Sequence, residues 1–162
     1  MSVLVPMSPE AYAQYLVAAV AGYAQQNVSS GRWPAEGALE RSNAEHQRLL
    51  PQGLATPDNY LFEIQDAEAR AVVGSLWFAV ENRAGARTGF VFDVRVNERY
   101  RRQGHATRAF KALEPFARGL GLSTIGLHVF AYNTEAQALY QALGYGITSL
   151  NMHKHLGNEP AA

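Results

Sequence analysis

The residues Arg99-Tyr-Arg-Arg-Gln-Gly-His-Ala-Thr-Arg-Ala-Phe-Lys111 gather five basic side chains around one glycine. A strand-like run ends just before them, and an amphipathic helical stripe follows. A glycine in that place suits an anion. The first N–H groups of a helix lack internal partners, and the helix dipole adds partial positive charge at the same end. Glycine lets the backbone approach a phosphate closely. Arg101 to Thr107 therefore reads as a phosphate cradle in which N–H groups around Gly104 count for more than side-chain charge. Arg108 and Lys111 fall on the polar face of the helix, with Arg118, where Glu114 can pair at i,i+4. Gly-x-Gly-x-x-Gly is absent, since Gly119-Leu-Gly121 comes after the helix, and so is Gly-x4-Gly-Lys-Ser/Thr. Neither a dinucleotide fold nor a P-loop is supported.

Two spaced motifs narrow the choice. Arg101-Arg102-Gln103-Gly104-His105-Ala106 fits Arg/Gln-x-x-Gly-x-Gly/Ala. Asn133-x-x-Ala136-x-x-Leu139-Tyr140-x-x-x-Gly144-Tyr145 follows, with Tyr145 where an Asn-x-x-Ala-x-x-Leu-Tyr-x-x-x-Gly-Phe pattern ends in Phe. In this order, with one helix and one strand between them, they resemble the two signatures of the GNAT superfamily of acyl-CoA-dependent N-acetyltransferases. The strong resemblance covers roughly residues 72–156.

The resemblance implies a central pair of strands, near Asp93–Val96 and Thr124–Phe130, that splay apart. The pantetheine arm of acetyl-CoA would enter that gap and pair with backbone near Val94 and Val96. Its pyrophosphate would rest on N–H groups of Gln103, Gly104, His105, Ala106 and Thr107, with Arg101 and Arg102 completing the cradle. An N–H near Val94 would polarise the acetyl carbonyl. Asn133 would bond the pantetheine amides, unless it is an ordinary residue leading a helix. Tyr140 would protonate the leaving thiolate, unless it is an aromatic packed on the stripe with Ala136 and Leu143.

An acceptor amine with a pKa near 10 is mostly protonated at neutral pH, so the chemistry calls for a base or a water chain. Asp93 is the first candidate, and a polar residue satisfied by a neighbouring strand is the alternative. Glu63 and Glu81 stand behind it. His128, in an apolar strand, reads as a core or cleft histidine. His153-x-His155 lacks an acidic partner and gives no metal site. There is no cysteine, which excludes an acyl-thioester enzyme and favours direct attack in a ternary complex.

These residues need elements to hold them. Ser8-Pro9-Glu10 starts a helix with a capping hydroxyl and proline at the first position, and apolar residues recur at 12, 15, 16, 19, 20 and 23 until Asn27-Val-Ser-Ser-Gly31. A second, largely exposed helix runs from Trp33-Pro34 to about Leu50. Three strands are expected at Tyr60–Gln65, Ala71–Glu81 and Thr88–Val96, joined as hairpins. Phe90, Phe92, Val94 and Val96 share one parity, which a bulge would reverse. A helix follows from Ala106, with Pro115 inside it to kink or unpair a turn. Then come a strand at Thr124–Phe130, a helix from a Thr134-Glu-Ala-Gln137 capping box to Leu143, a strand at Tyr145–Lys154 and a frayed tail, Gly157–Ala162. The order is α-α-β-β-β-α-β-α-β. The fold class is α/β (α+β): one GNAT-like domain over 1–162, with a mixed, mostly antiparallel sheet, splayed central strands and flanking helices.

The chain has 162 residues, 17% of them charged, with 14 basic residues balancing 14 acidic ones. That balance disfavours a nucleic-acid binder. The N-terminus carries no signal-like segment, and Tyr15–Ala24 is too short to span a bilayer, so the expectation is a cytoplasmic protein with no membrane partner. The expected activity is acetyl transfer from acetyl-CoA to a primary amine on a small molecule or peptide. A non-catalytic acyl-CoA-binding regulatory module is the alternative. The acceptor, the acyl range and the oligomeric state, a homodimer included, stay open. Tyr23, Trp33, Trp77, Tyr132 and Tyr145 are the aromatic residues expected near the acceptor.

Overall fold

A computed structural model describes residues 2–158. In chain order it contains β1 (Ser2–Pro6), α1 (Pro9–Ser29), α2 (Ala38–Leu49), β2 (Asn59–Asp66), β3 (Ala71–Arg83), β4 (Ala86–Val96), α3 (His105–Gly119), β5 (Ile125–Leu127) and α4 (Thr134–Ala142). The strands form one sheet in the order β1-β2-β3-β4-β5. Pairing is antiparallel from β1 to β4, and β4 pairs with β5 in parallel. The sheet is thus mixed and mostly antiparallel, as expected.

Alternation along β3 sends side chains to two cores. Leu76 and Phe78 join Phe62, Ile64 and Val91 under Ala109, Phe110, Leu113 and Ala117 of α3. Trp77, on the other face, packs with Met7, Tyr15, Ala19, Leu50 and Leu61 beneath α1. The amphipathic stripes of α1 and α3 supply the apolar faces that each side of the sheet buries.

The two ends of the chain depart from expectation. Ser2–Pro6 forms an edge strand on β2. Five residues are too few to declare a period, and this strand is stabilised by a partner sixty residues away. Tyr145–Lys154, expected as a strand, has no regular secondary structure, and Ile147, Leu150 and Met152 are exposed. Its alternating apolar residues meet no neighbouring strand, and without a ladder a strand does not form. The tail expected at Gly157–Ala162 lies outside the described residues from 159 onward.

α2 begins at Ala38, not at Trp33-Pro34. Gly37 takes a left-handed conformation (φ 73°), which no helix can run through. The Arg41 guanidinium then donates to the carbonyls of Pro34 (2.9 Å) and Glu36 (2.7 Å), fixing the preceding turn. α3 runs through Pro115 to Gly119. Among the described residues no helix is long and apolar enough to cross a membrane.

Candidate active site

The β4–β5 pair is short. Gly89, Phe90 and Val91 align with Ile125, Gly126 and Leu127, and no pairing continues past them. Beyond that point the strands diverge. The wedge between them is a cavity of about 90 Å³ lined by residues of β4, of 127–130, and by Gln26, Asn133 and Tyr140. The expected splay thus falls at Phe92–Val94 against His128–Phe130.

The expected bulge is present. Trp77 aligns with Asp93 but Phe78 with Val91, so Phe92 is the extra residue. A bulge lets consecutive residues share one face. Phe90, Phe92, Asp93 and Arg95 all line a second cavity, of about 660 Å³, on the α1–α2 side of the sheet. Val91 and Val94 pack on the α3 side instead. Parity read straight along the strand had put Val94 with Phe92; the bulge separates them. Phe92, Asp93, His128 and Phe130 line both cavities, so the wedge and the larger cavity meet there.

The Gly104 loop sits ahead of α3. Gly104 is its N-cap with φ 80°, and Arg102 is also left-handed (φ 61°). The loop's side chains turn onto its own backbone. Arg101 Nε donates to Val96 O (3.1 Å), Gln103 Nε2 to Arg99 O (3.2 Å) and Arg108 Nη2 to Gln103 O (2.9 Å). Arg108 is therefore a loop brace, where a solvated position was expected. Its Nη2 also lies 3.1 Å from His105 Nδ1. The His105 side chain is buried against Tyr100 and lies 3.8 Å from Asp66, away from the loop surface. Arg102 reaches Glu135 at the start of α4, an exposed pair of small energetic weight. The side chains shape the loop, and the amides of Gly104, Ala106 and Thr107 have no backbone acceptor among the described residues. Such a cradle fits a phosphate. The Val96 carbonyl is already held by Arg101, so a ligand pairing there would compete with that bond.

On α4 the cap is Asn133, not Thr134. Asn133 Oδ1 accepts from Ala136 N (3.2 Å). Gln137 does not close a capping box, because its amide donates to the carbonyls of Phe130 (3.3 Å) and Ala131 (2.9 Å). Tyr140 packs edge-on against Phe110 (5.4 Å) and Tyr145 (6.0 Å). Burial, with the Asp93 carboxylate adding to it, pushes its phenol up to about 12, so the proton is firmly held.

Asp93 Oδ2 accepts from Tyr15 Oη (2.8 Å) and Arg95 Nε (3.0 Å). Arg95 also donates to the Ala18 (3.0 Å) and Ala19 (3.4 Å) carbonyls of α1. A methyl group at Gly22 would collide with this guanidinium, which explains a glycine inside an apolar helical run. Burial and Asp93 hold the Tyr15 phenol well above its ordinary range. Burial, helped by Arg32, lowers His128. Glu63 and Glu81 line neither cavity; Glu81 pairs with Arg83 and Glu63 accepts from Gln65.

The larger cavity is an aromatic slot. Trp77 stacks on Phe92 (4.6 Å), Phe90 sits edge-on to Phe92 (4.9 Å), and His128 meets Phe130 edge-on (4.9 Å). Tyr23 also lines it, and Trp33 stands behind, edge-on to Tyr23 at 5.4 Å. Tyr132 backs Phe130, whereas Tyr145 belongs to the opposite core. Tyr15, Arg32, His46 and Arg95 were not foreseen, since no local pattern marks side chains that meet only in three dimensions. The described residues contain no group of three or more His, Cys, Asp or Glu able to hold a metal.

The sequence profile of the acetyltransferase (GNAT) family matches residues 25–145. An uncharacterized N-acetyltransferase of Bacillus subtilis (strain 168), YycN, is 36% identical over 153 residues, spanning 94% of this chain and 97% of its own. A second from the same organism, YdgE, is 31% identical over 150 residues, spanning 93% of this chain and 95% of its own. The crystal structure of the putative acetyltransferase YycN superposes with a TM-score of 0.91 at 35% identity, covering 98% of this chain and 100% of that one.

Proposed function

Since the chain belongs to the acetyltransferase (GNAT) family, we infer that it moves an acetyl group from acetyl-CoA to a primary amine by direct attack in a ternary complex, the whole chain acting as one domain. The observation that carries this reading is the wedge between β4 and β5, which opens at Phe92 and Asp93 onto the aromatic cavity. A donor arm in the wedge and an acceptor in the cavity would meet at that opening.

The fit to acetyl-CoA rests on three features: the left-handed Gly104 with open amides behind it, the unpaired β5-side edge of β4 beyond Val91, and Asn133 and Tyr140 lining the wedge. The bound thioester supplies an activated acyl carbon. Amides of Gly104, Ala106 and Thr107 hold the pyrophosphate, and Asn133 orients the arm. A backbone N–H near Val94 draws charge onto the acyl oxygen. Asp93 takes a proton from the ammonium. Its Oδ1 serves, since Tyr15 and Arg95 occupy Oδ2. The amine lone pair then forms the C–N bond, the C–S bond breaks, Tyr140 gives its proton to the departing sulfur, and the new amide nitrogen loses its second proton to solvent. The phenol recovers a proton from solvent.

Incubation with acetyl-CoA and a panel of amines, read by thiol release and by mass of the acetylated amine, tests this. The expected result is amine-dependent release of free CoA. Binding of CoA with no amine-dependent turnover would favour a regulatory acyl-CoA-binding module, and no binding at millimolar CoA would overturn both.

A further inference from the structure

The charge inventory of the larger cavity is uneven. Five ionic side chains line it: Arg32, Arg83, Arg95, Glu45 and Asp93. Both carboxylates already have guanidinium partners, Asp93 in Arg95 and Glu45 in Arg48, which stands outside the lining. Arg83 is held by Glu81 and by the face of Phe90, 4.6 Å from the ring centroid. Arg32 differs. Its side chain has no carboxylate within ion-pair distance and no hydrogen bond among the described residues; only its backbone N–H is used, donating to Asn27 O at 3.0 Å. Gly31, left-handed at φ 75°, turns the chain off the end of α1 and delivers Arg32 to the rim. Its charge is felt at Glu45 on one side and His128 on the other.

A guanidinium beside a slot walled by Trp77, Phe92 and Phe130 sets two requirements on an occupant. Its body should be flat and apolar, to lie between rings. It should also carry an anion, because Arg presents a planar fork that matches a carboxylate bidentately. A polyamine or aminoglycoside meets the opposite situation. Aromatic faces attract one ammonium, but a second would find no uncommitted carboxylate and would face Arg32. A cavity of about 660 Å³ is the size of a small-molecule pocket.

Resting on the acetyl-transfer reading above, we infer that the acceptor is an amino acid in the broad sense: a primary amine on an aromatic body that also bears a carboxylate. Its amine meets the wedge at Asp93, and its carboxylate meets Arg32. Arg32 sets specificity without touching the reacting atoms.

Matched pairs test this. L-Phenylalanine is compared with phenethylamine, and 4-(aminomethyl)benzoate with benzylamine, alongside spermidine. In the wild type at least one acid should exceed its uncharged partner in kcat/KM by about tenfold, and spermidine should be the poorest acceptor. In Arg32→Ala the ratio should fall to about one, and in Arg32→Glu it should invert with spermidine gaining. A wild-type preference for the uncharged amines or for spermidine would overturn the inference, and so would a ratio that Arg32→Ala leaves in place. Calorimetry on the CoA complex gives a readout independent of turnover. There the acids should bind more tightly than their partners, and no binding of either acid at millimolar concentration also overturns it. Failure of CoA itself to bind would instead sink the acetyl-transfer reading.

Discussion

The two cavities that meet at Phe92 and Asp93 are built from different material. The wedge and its cradle are made mostly of main chain: an unpaired strand edge, a left-handed glycine and the first amides of a helix. The larger cavity is made of side chains delivered by α1, the turn that follows it, α2, β3, β4 and the chain after β5. A main-chain site tolerates exchange of its side chains so long as the φ and ψ values survive. A side-chain site tolerates backbone adjustment, but each ring and charge in it alters what it accepts. The first should therefore fail as a whole when its backbone is disturbed, and the second should fail by degrees and by substrate.

The sharpest way to break this contrast is Gly104→Val. A β-branched residue at φ 80° is strained by about 1–2 kcal/mol. Its Cβ would stand 2.8 Å from Arg108 Nη1, a side-chain end that can move aside. Fold stability should fall by about that strain energy, lowering the thermal midpoint by several degrees, while the new side chain covers the amides. Calorimetry below that midpoint should show CoA affinity falling by about a hundredfold or more. Near-normal CoA affinity would remove the loop from the site. Replacing Gln103 by Ala, which spares the backbone, should cost far less.

Next in size is Tyr140→Phe, a side-chain change inside the main-chain wedge. The ring contacts with Phe110 and Tyr145 survive, and the hydroxyl makes no hydrogen bond among the described residues. Loss of a positioned acid should lower kcat by about a hundredfold, with CoA affinity held within about twofold. An unchanged kcat would make Tyr140 a packing residue only, the alternative that its place on the α4 stripe left open.

The same contrast accounts for what could be read from sequence. Gly104, Asn133 and Tyr140 stand in contiguous motifs because a helix start and a strand–helix junction are local objects, specified by neighbours in sequence. The splay and the bulge, which lie in the β3–β4 and β4–β5 pairings, were expected only through the family resemblance that those motifs carry. The cap of α4 was misassigned by one residue, because Asn133 and Thr134 can both cap and only the fold shows which oxygen reaches Ala136 N. Arg32, Tyr15 and Arg95 gave no signal. Arg95 read as a polar strand residue, and only the packing of α1 across the sheet brings Tyr15 to Asp93. β1 was missed because its evidence lies in β2, and a strand was expected at Tyr145–Lys154 because alternation records a tendency to pair without recording whether a partner is present.

The smallest effect is a test of burial at the junction of wedge and core. Tyr140 and Tyr145 are both pushed up from the ordinary phenol value of 10 to about 12, by burial first; Asp93 adds to the effect at Tyr140, and Glu114 then Tyr140 at Tyr145. Between those values the unfolded chain has given up protons that the folded chain retains, so stability declines as pH rises. The contribution is complete below pH 10 and is lost as pH passes through about 12. Thermal midpoints should be flat with pH below 10 as far as these phenols are concerned. Above it they should fall more steeply in the wild type than in Tyr140→Phe, which removes one of the two groups. Ultraviolet titration of the folded protein should show Tyr140 and Tyr145 ionising late, along with Tyr15. If Tyr140→Phe leaves the alkaline slope unchanged, the hydroxyl is better solvated than its packing implies. A solvated phenol would share its proton with bulk water, and the case for Tyr140 as the acid held ready for the departing sulfur would weaken with it.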